Sequence, residues 1–225
     1  MYTVKKYEEV FDEKYWSNKK AYEHNVPQYK IKRAWKFINK KGTLKGSIIH
    51  DYAENLLLNK IFKYPANEIY NEFGFDPIWE EYLITKKHVD NFIRISKNKL
   101  IPVKTELVIY DKESMIAGML DLLFYNVKDK EFQIWDWKTN KKFTKNSDNL
   151  LLDELGTLQA SDLEKYSLQL EAYKYIIEKN TSIKLGKSFL IWVSHNNNDF
   201  EIIETNNRRY FIENMFDKRI KELAA

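Results

Sequence analysis

The chain has 225 residues, of which 44% are hydrophobic, 15% aromatic and 31% charged, and it contains no cysteine. This length and composition suit one compact domain with a real core and exclude wholesale disorder. The lack of cysteine excludes disulfides, thiol nucleophiles, and zinc or iron–sulfur sites held by cysteine. No apolar run approaches the roughly 18 residues of a membrane span, and residues 1–6 lead into acidic residues. We therefore expect no secretory signal, no membrane contact, and a cytoplasmic location in a bacterium or a phage-infected host cell.

The net charge of +4 is unevenly distributed along the sequence. Residues 1–45 contain twelve lysines and arginines against five acidic residues, so this stretch carries +7 and the remaining 180 residues carry −3. Such a basic arm suits an enzyme that binds a polyanion, although a solvated lysine-rich surface is the alternative. Aromatic residues interleave with these charges, among them Tyr15, Trp16, Tyr22, Tyr29 and Trp35. If the arm guides single-stranded DNA, reversing several of its charges should weaken DNA binding; for Trp35, packing in the core is the alternative.

Helical spacing of apolar residues predicts the first elements. We expect one helix over residues 27–41, opened by Pro27 and stopped by Gly42, and a second over residues 43–62. A third helix is expected over residues 76–97, with Asp76 as its cap.

The period then changes to strict alternation, which predicts three consecutive strands, Val103–Tyr110, Met115–Tyr125 and Glu131–Lys138. Their short polar connections favour antiparallel hairpins. A long polar loop follows, and the chain then continues with a helix, two strands and a last helix over residues 162–178, 187–194, 200–205 and 207–223. This order predicts an α/β (α+β) fold with a mixed central sheet flanked by helices. We expect a single domain over residues 1–225, made of a basic helical arm (1–45), a core (46–205) and a C-terminal helix (206–225).

Two carboxylates and an amine are expected to meet at one edge of this sheet. Asp136 and Lys138 lie on the same face of the third strand, because side chains two apart in a strand point the same way. If the second and third strands form a hairpin, Asp121 lies beside Asp136. Adjacent carboxylates repel, and a hard divalent cation such as Mg²⁺ or Mn²⁺ removes the conflict. Lys138 could then orient or activate an attacking water, although an ordinary surface salt bridge explains an isolated Asp-x-Lys equally well.

Other polar residues are spaced so that they could join this cluster. His50 and Glu54 stand four apart on a predicted helix, and so do Gln169 and Tyr173 on a later one. An imidazole with a carboxylate could add metal ligands, and an amide with a phenol could contact phosphate or sugar. Each pair considered alone also fits ordinary surface or core packing. Glu106 on the first strand is a further candidate for the carboxylate cluster.

Taken in order, these residues resemble the PD-(D/E)XK nuclease superfamily, in its RecB-like exonuclease branch. The motifs are His50 with Glu54, Gly118 to Asp121, Asp136-Trp137-Lys138, and Gln169 to Tyr173. The resemblance covers roughly residues 43–195. A nuclease of this size is similar to exonucleases of the phage type and of the mitochondrial genome maintenance type. It implies a restriction-endonuclease-like core.

The resemblance also implies a role for each matching position. His50, Asp121, Asp136 and the Trp137 carbonyl would bind one or two Mg²⁺ or Mn²⁺ ions, with Glu54 and Glu106 as less firm additions. Lys138 would act on the nucleophilic water, so that Lys138, Asp121 and Asp136 form the catalytic set. The implied nucleic-acid-binding residues are Gln169, Tyr173, Tyr166, Lys141 and Lys142.

We therefore expect a metal-dependent DNA exonuclease that hydrolyses phosphodiester bonds from strand ends in recombination, replication or repair. Its expected partners are DNA, single-stranded by preference, and a helicase, polymerase or annealing protein. The alternatives are an endonuclease of the same superfamily, a non-catalytic nucleic-acid-binding module, and a structural protein in which the motif residues form salt bridges.

Overall fold

The computed structural model describes residues 7–224, so the expectation about residues 1–6 lies outside the described part of the chain. Its helices are α1 (Glu13–Glu23), α2 (Gln28–Leu57), α3 (Ala66–Phe73), α4 (Trp79–Ser96), α5 (Asp162–Asn180) and α6 (Arg209–Ala224). Its strands are β1 (Leu100–Asp111), β2 (Ile116–Asn126), β3 (Glu131–Lys138), β4 (Leu185–Trp192) and β5 (Glu201–Glu204). A short 3₁₀ turn at Asp153–Leu155 interrupts the loop between β3 and α5.

The five strands form one mixed sheet in the order β1-β2-β3-β4-β5. The β3 and β4 strands are parallel and joined by α5, whereas the other neighbours are antiparallel. Each face of the sheet carries its own hydrophobic core. Leu120, Ile134 and Leu190 pack with residues of α5 and α6, and Phe124 and Trp137 pack with residues of α2, α3 and α4. The predicted mixed sheet flanked by helices is confirmed, and its strands lie within a few residues of the predicted ranges.

The helical region differs from the prediction in three places. Gly42 does not stop a helix, because α2 runs without a break from Gln28 and ends at Leu57, before the predicted residue 62. The short helix α3 was not predicted. Asp76 does accept hydrogen bonds from the amides of Ile78 and Trp79, but the regular helix begins at Trp79. A single glycine disfavours a helix by about 1 kcal/mol, which tertiary packing overrides here.

The neighbouring strands β2 and β3 separate at Asp121. The β2–β3 ladder begins at the pair Leu122–Trp135, so that β2 beyond this point pairs with β1 and β3 pairs with β4. The regular alternation of side chains along β2 is also interrupted there. Leu120 lies in the core beneath α5, whereas Leu122, two residues later, lies in the core on the opposite face of the sheet. The sheet therefore opens between Asp121 and Asp136, and side chains from both faces can reach this opening.

Within residues 7–224, none of the helices combines the length and apolar character that crossing a membrane requires.

Candidate metal centre and active site

Where β2 and β3 separate, a side chain of β2 accepts the hydrogen bond that a backbone carbonyl of the neighbouring strand would accept in a regular sheet. The Trp137 amide donates a hydrogen bond of 2.9 Å to Asp121 Oδ2. Asp121 and Asp136 are both buried, with 8% and 2% of their surface exposed. Burying two carboxylates this closely is unfavourable unless hydrogen bonds, cations or protons compensate them.

His50, Glu106 and Asp121 form one group of potential ligands. Each contributes one atom, and these three atoms all lie within 4.8 Å of one another. His50 comes from α2, Glu106 from β1 and Asp121 from β2, and His50 Nδ1 is 3.2 Å from Asp121 Oδ2. Two carboxylates and an imidazole are a ligand set that suits Mg²⁺ or Mn²⁺ with further water or phosphate oxygens.

Glu106 reaches this group through an unusual backbone conformation. Its φ is +46°, although it lies within a strand and is not a glycine. Such a conformation costs on the order of 1–3 kcal/mol and persists where the surrounding structure imposes it, most often at functional sites. Burial raises the pKa of Glu106 to about 6, and the charge of Asp121 adds to the effect. The group therefore holds more negative charge than the protein alone compensates.

Asp136 lies beside this group and is paired with Lys138. Lys138 Nζ is 2.5 Å from Asp136 Oδ2, and the ammonium also lies 4.2 Å from the centre of the Tyr166 ring. Burial, with the charge of Asp121 second, raises the pKa of Asp136. Burial alone would lower the pKa of Lys138, but the charge and hydrogen bonding of Asp136 raise it. Lys138 is therefore a protonated donor in this arrangement.

The carboxylates around His50 stabilise the protonated form of its imidazole ring. Burial would lower the pKa of His50, but its hydrogen bond to Asp121 and the charges of Asp121 and Asp136 raise it. A cation at this position would replace the proton on His50, because a metal-bound imidazole must be neutral.

Gly118, Gln169 and Tyr173 form one packed unit behind the site. Gln169 Nε2 donates a 2.9 Å hydrogen bond to the Tyr173 hydroxyl on the same face of α5. A Cβ atom at Gly118 would come within 2.4 Å of Tyr173 Cε1. The glycine of the Gly-x-x-Asp motif is therefore needed because the tyrosine ring lies against the backbone of β2.

Two further candidate ligands, Glu54 and the Trp137 carbonyl, lie on residues that make other contacts. Glu54 Oε1 accepts a 2.8 Å hydrogen bond from Thr105 Oγ1, which ties α2 to β1 next to Glu106, and Glu54 is not among the three grouped ligands. Trp137 contacts Asp121 through its amide, and its side chain is buried in the core on the α2 and α4 side. Neither contact could have been assigned from spacing alone, since each joins residues of different elements.

A cleft of about 880 Å³ opens beside the site. His50, Lys138 and Tyr166 line one part of it, and Lys141 lines the rim together with residues of α2. Lys142 is exposed and does not line the cleft. The cleft also contains Lys45, Glu81 and His195, which no sequence motif singles out because they are far apart in the chain.

The donor set fits a divalent cation, and one buried atom beside it supports this fit. Asp136 Oδ2 is buried beside the group, and the ammonium of Lys138 lies 2.5 Å from it. A further hard donor is therefore at hand beside the His50–Glu106–Asp121 group. All of these donors are oxygen or imidazole nitrogen, so the residues fit Mg²⁺ or Mn²⁺.

Comparison with known proteins gave likenesses of structure only. No protein-family model matches the chain, and no curated protein matches it. The structure is similar to that of a candidate exonuclease from Eubacterium rectale, with a TM-score of 0.48, 10% identity and 82% of this chain covered. The chain spans 65% of that protein's length. It is also similar to SSO0001, with a TM-score of 0.34, 13% identity, and 78% of this chain and 85% of that one covered. Both TM-scores are below 0.5, so these likenesses carry no functional conclusion.

Proposed function

We propose that this protein is a metal-dependent nuclease that hydrolyses phosphodiester bonds in DNA. The observation that carries the proposal is the convergence of His50, Glu106 and Asp121 ligand atoms within 4.8 Å, directly beside the buried Asp136 and its half-buried partner Lys138. A salt bridge on a hairpin needs two opposite charges; here two elements beyond the hairpin, α2 and β1, bring additional ligands to the same point.

In this proposal His50, Glu106 and Asp121 hold the cation, and Asp136 lies where it can join them. The cation would lower the pKa of a bound water and stabilise charge on the phosphate. The ammonium of Lys138 donates hydrogen bonds, and it cannot accept a proton while Asp136 keeps it charged. Its role is therefore to orient the water or to stabilise the phosphate oxygens, and not to act as a general base.

The substrate proposed is single-stranded or processed DNA, attacked from its ends. Supporting this, Tyr15, Trp16, Tyr22 and Tyr29 are exposed on α1 and α2, with Tyr22 at 90% and Tyr29 at 63%. Trp35 is half-buried instead, and its ring packs edge-on against that of Phe11. Exposed rings among lysines suit stacking on unpaired bases. A helicase, polymerase or annealing protein would supply such strands, and recombination, replication or repair are the processes that need them.

The test is a degradation assay on two forms of one substrate. End-labelled linear and covalently closed circular single-stranded DNA are incubated with the protein and Mn²⁺, Mg²⁺ or EDTA, with a linear RNA in parallel. We expect loss of the linear DNA alone and only with metal. Lys138→Ala should lower this activity by about a hundredfold or more, since it removes a donor positioned at the reacting group.

Lys187→Ala is the matched control, because Lys187 is an exposed lysine of β4 paired with Glu204. It should cleave like the wild type. Loss of the circle as well would identify an endonuclease. No cleavage with any metal would reject the nuclease proposal in favour of a binding module.

A further inference from the structure

A second cluster of charged side chains lies in the cleft, apart from the proposed metal ligands. Lys41 Nζ is 2.7 Å from Glu81 Oε1, and Lys45 Nζ is 2.9 Å from Glu81 Oε2. The ring of His195 completes the cluster, with Nδ1 3.3 Å from Lys45 Nζ. Lys45 is 5% exposed, which is unusual for a lysine and shows that this ammonium is part of a built site and not of a solvated surface.

The cluster has an excess of positive charge and of hydrogen-bond donors. Two ammonium groups share the single carboxylate of Glu81, which leaves a formal charge of +1 when His195 is neutral. Burial, with the charge of Lys45 second, lowers the pKa of His195. Nδ1 of His195 also lies 3.2 Å from Glu81 Oε2, so this ring nitrogen contacts both the ammonium of Lys45 and the carboxylate. Each ammonium has three donors, and its bond to Glu81 uses one of them.

Position connects this cluster to the proposed nuclease site. Lys41, Lys45 and His195 line the same cleft as His50 and Lys138. Lys45 and His50 are five residues apart on one uninterrupted helix, which is about 7.5 Å along its axis. Over so short a distance, one strand that lies in the cleft can contact both residues. A strand whose scissile phosphate lies at the metal ligands would therefore place a neighbouring phosphate at Lys45.

We propose that Lys41, Lys45 and His195 form a phosphate subsite that holds the substrate strand one or two nucleotides from the cleaved bond, with Glu81 positioning the two lysines. This inference rests on the proposed function for the identity of the ligand. The phosphate is either a terminal monoester or an internal diester, and both have the oxygen atoms that these donors would bind.

The test measures binding without cleavage. A single-stranded oligonucleotide with a fluorophore at its 3′ end is titrated with protein in EDTA at several salt concentrations, once with a 5′-phosphate and once with a 5′-hydroxyl. The variant is Lys41→Gln combined with His195→Gln, and Lys187→Gln on the β4 strand is the control. We expect the double variant to bind about tenfold more weakly. Its plot of log affinity against log salt should be shallower by about 0.7 for each phosphate that the variant no longer neutralises.

A loss of affinity confined to the 5′-phosphorylated strand would identify the ligand as a terminal phosphate, and an equal loss for both strands would identify an internal diester. Equal affinity and salt dependence for the double variant and the Lys187→Gln control would overturn the subsite. Binding that depends on Lys41 and His195 in a protein that cleaves nothing would support the subsite while rejecting the nuclease proposal. Normal cleavage together with unchanged binding by the double variant would support the nuclease proposal and reject the subsite.

A measurement on the wild type covers the case in which the double variant does not fold. The ring signals of His195, assigned with the single variant His195→Gln, are followed by NMR as the oligonucleotide is added in EDTA. A shift of these signals that saturates with binding supports the subsite, and signals that stay unchanged when the oligonucleotide is bound overturn it.

Discussion

At the scale of a single residue, Asp121 has both a structural role and a proposed functional role. Its Oδ2 atom accepts a hydrogen bond from the Trp137 amide where the β2–β3 ladder has ended, and its carboxylate lies within 4.8 Å of the His50 and Glu106 ligand atoms. The first task stabilises the open sheet, whereas the second concentrates negative charge. Truncation to alanine therefore mixes a structural effect with a functional one.

Asparagine and alanine at this position should separate the two tasks. Asp121→Asn keeps an oxygen for the Trp137 amide and removes one repelling charge, so we expect the free energy of unfolding without metal to stay equal or rise. Asp121→Ala leaves a buried amide without its acceptor, which should lower that free energy by about 1–3 kcal/mol. Urea unfolding in EDTA measures both values. If Asp121→Asn lost as much stability as Asp121→Ala, the carboxylate charge itself would be structural, as the salt-bridge alternative requires.

At the scale of an element, α2 is the helix that joins the basic arm to the site. It has 30 residues, about 45 Å, and carries His50 near its C-terminal end and the cleft lysines Lys41 and Lys45 in its middle. Because the helix is continuous through Gly42, the part of the arm over residues 28–45 and the proposed ligand His50 belong to one helix. A break at Gly42 would instead have allowed the arm to swing independently of the site.

Glycine-to-alanine variants test this continuity. A Cβ at Gly42 meets no atom within 4 Å, so Gly42→Ala in a continuous helix should raise the free energy of unfolding by about 0.5–1 kcal/mol. Gly118→Ala is the contrasting variant, because its Cβ would overlap Tyr173, and it should lower stability by about 1–3 kcal/mol. Thermal and urea unfolding measure both. Destabilisation by Gly42→Ala would indicate that the helix stops at Gly42 after all.

For the whole molecule, stability without metal should depend on pH through the site. The pKa of Glu106 is raised from an ordinary 4.5 to about 6, so the folded state holds this proton more tightly than the unfolded chain does. The resulting stabilisation is fully present below about pH 4.5 and is lost as the pH rises through about 6. A cation bound to Glu106 would reverse the loss, since a ligand that binds only the folded state stabilises it.

Thermal melts with and without metal test this dependence. In EDTA the melting temperature of the wild type should match that of Glu106→Gln near pH 4.5 and fall below it near pH 7.5. At pH 7.5, Mn²⁺ should raise the melting temperature of the wild type by several degrees and that of Glu106→Gln by much less. A difference between the two proteins that is the same at both pH values would contradict the raised pKa, and an equal response to Mn²⁺ would remove Glu106 from the metal group.

Much of the fold could be predicted from the sequence because the signals are local. Alternation in the first three strands and the short polar turns between them determine two hairpins, and the helical period determines α5 and α6. The same local patterns mislead at Gly42, where packing outweighs the intrinsic preference of one residue, and at α3, whose eight residues give a weak periodic signal.

The amino-acid sequence alone specifies which residue types are available for the site and on which elements they lie: His50 on a helix, and Asp121, Asp136 and Lys138 on two paired strands. Which of them meet depends on the folded chain. Only the separation of β2 from β3, which turns Asp121 toward the Trp137 amide, and the backbone of Glu106 at φ +46° bring ligands from three elements together. Likewise, the cluster of Lys45, Glu81 and His195 joins residues up to 150 positions apart. Such long-range contacts depend on how two cores pack on the two faces of one sheet, and no local pattern in the sequence records that packing.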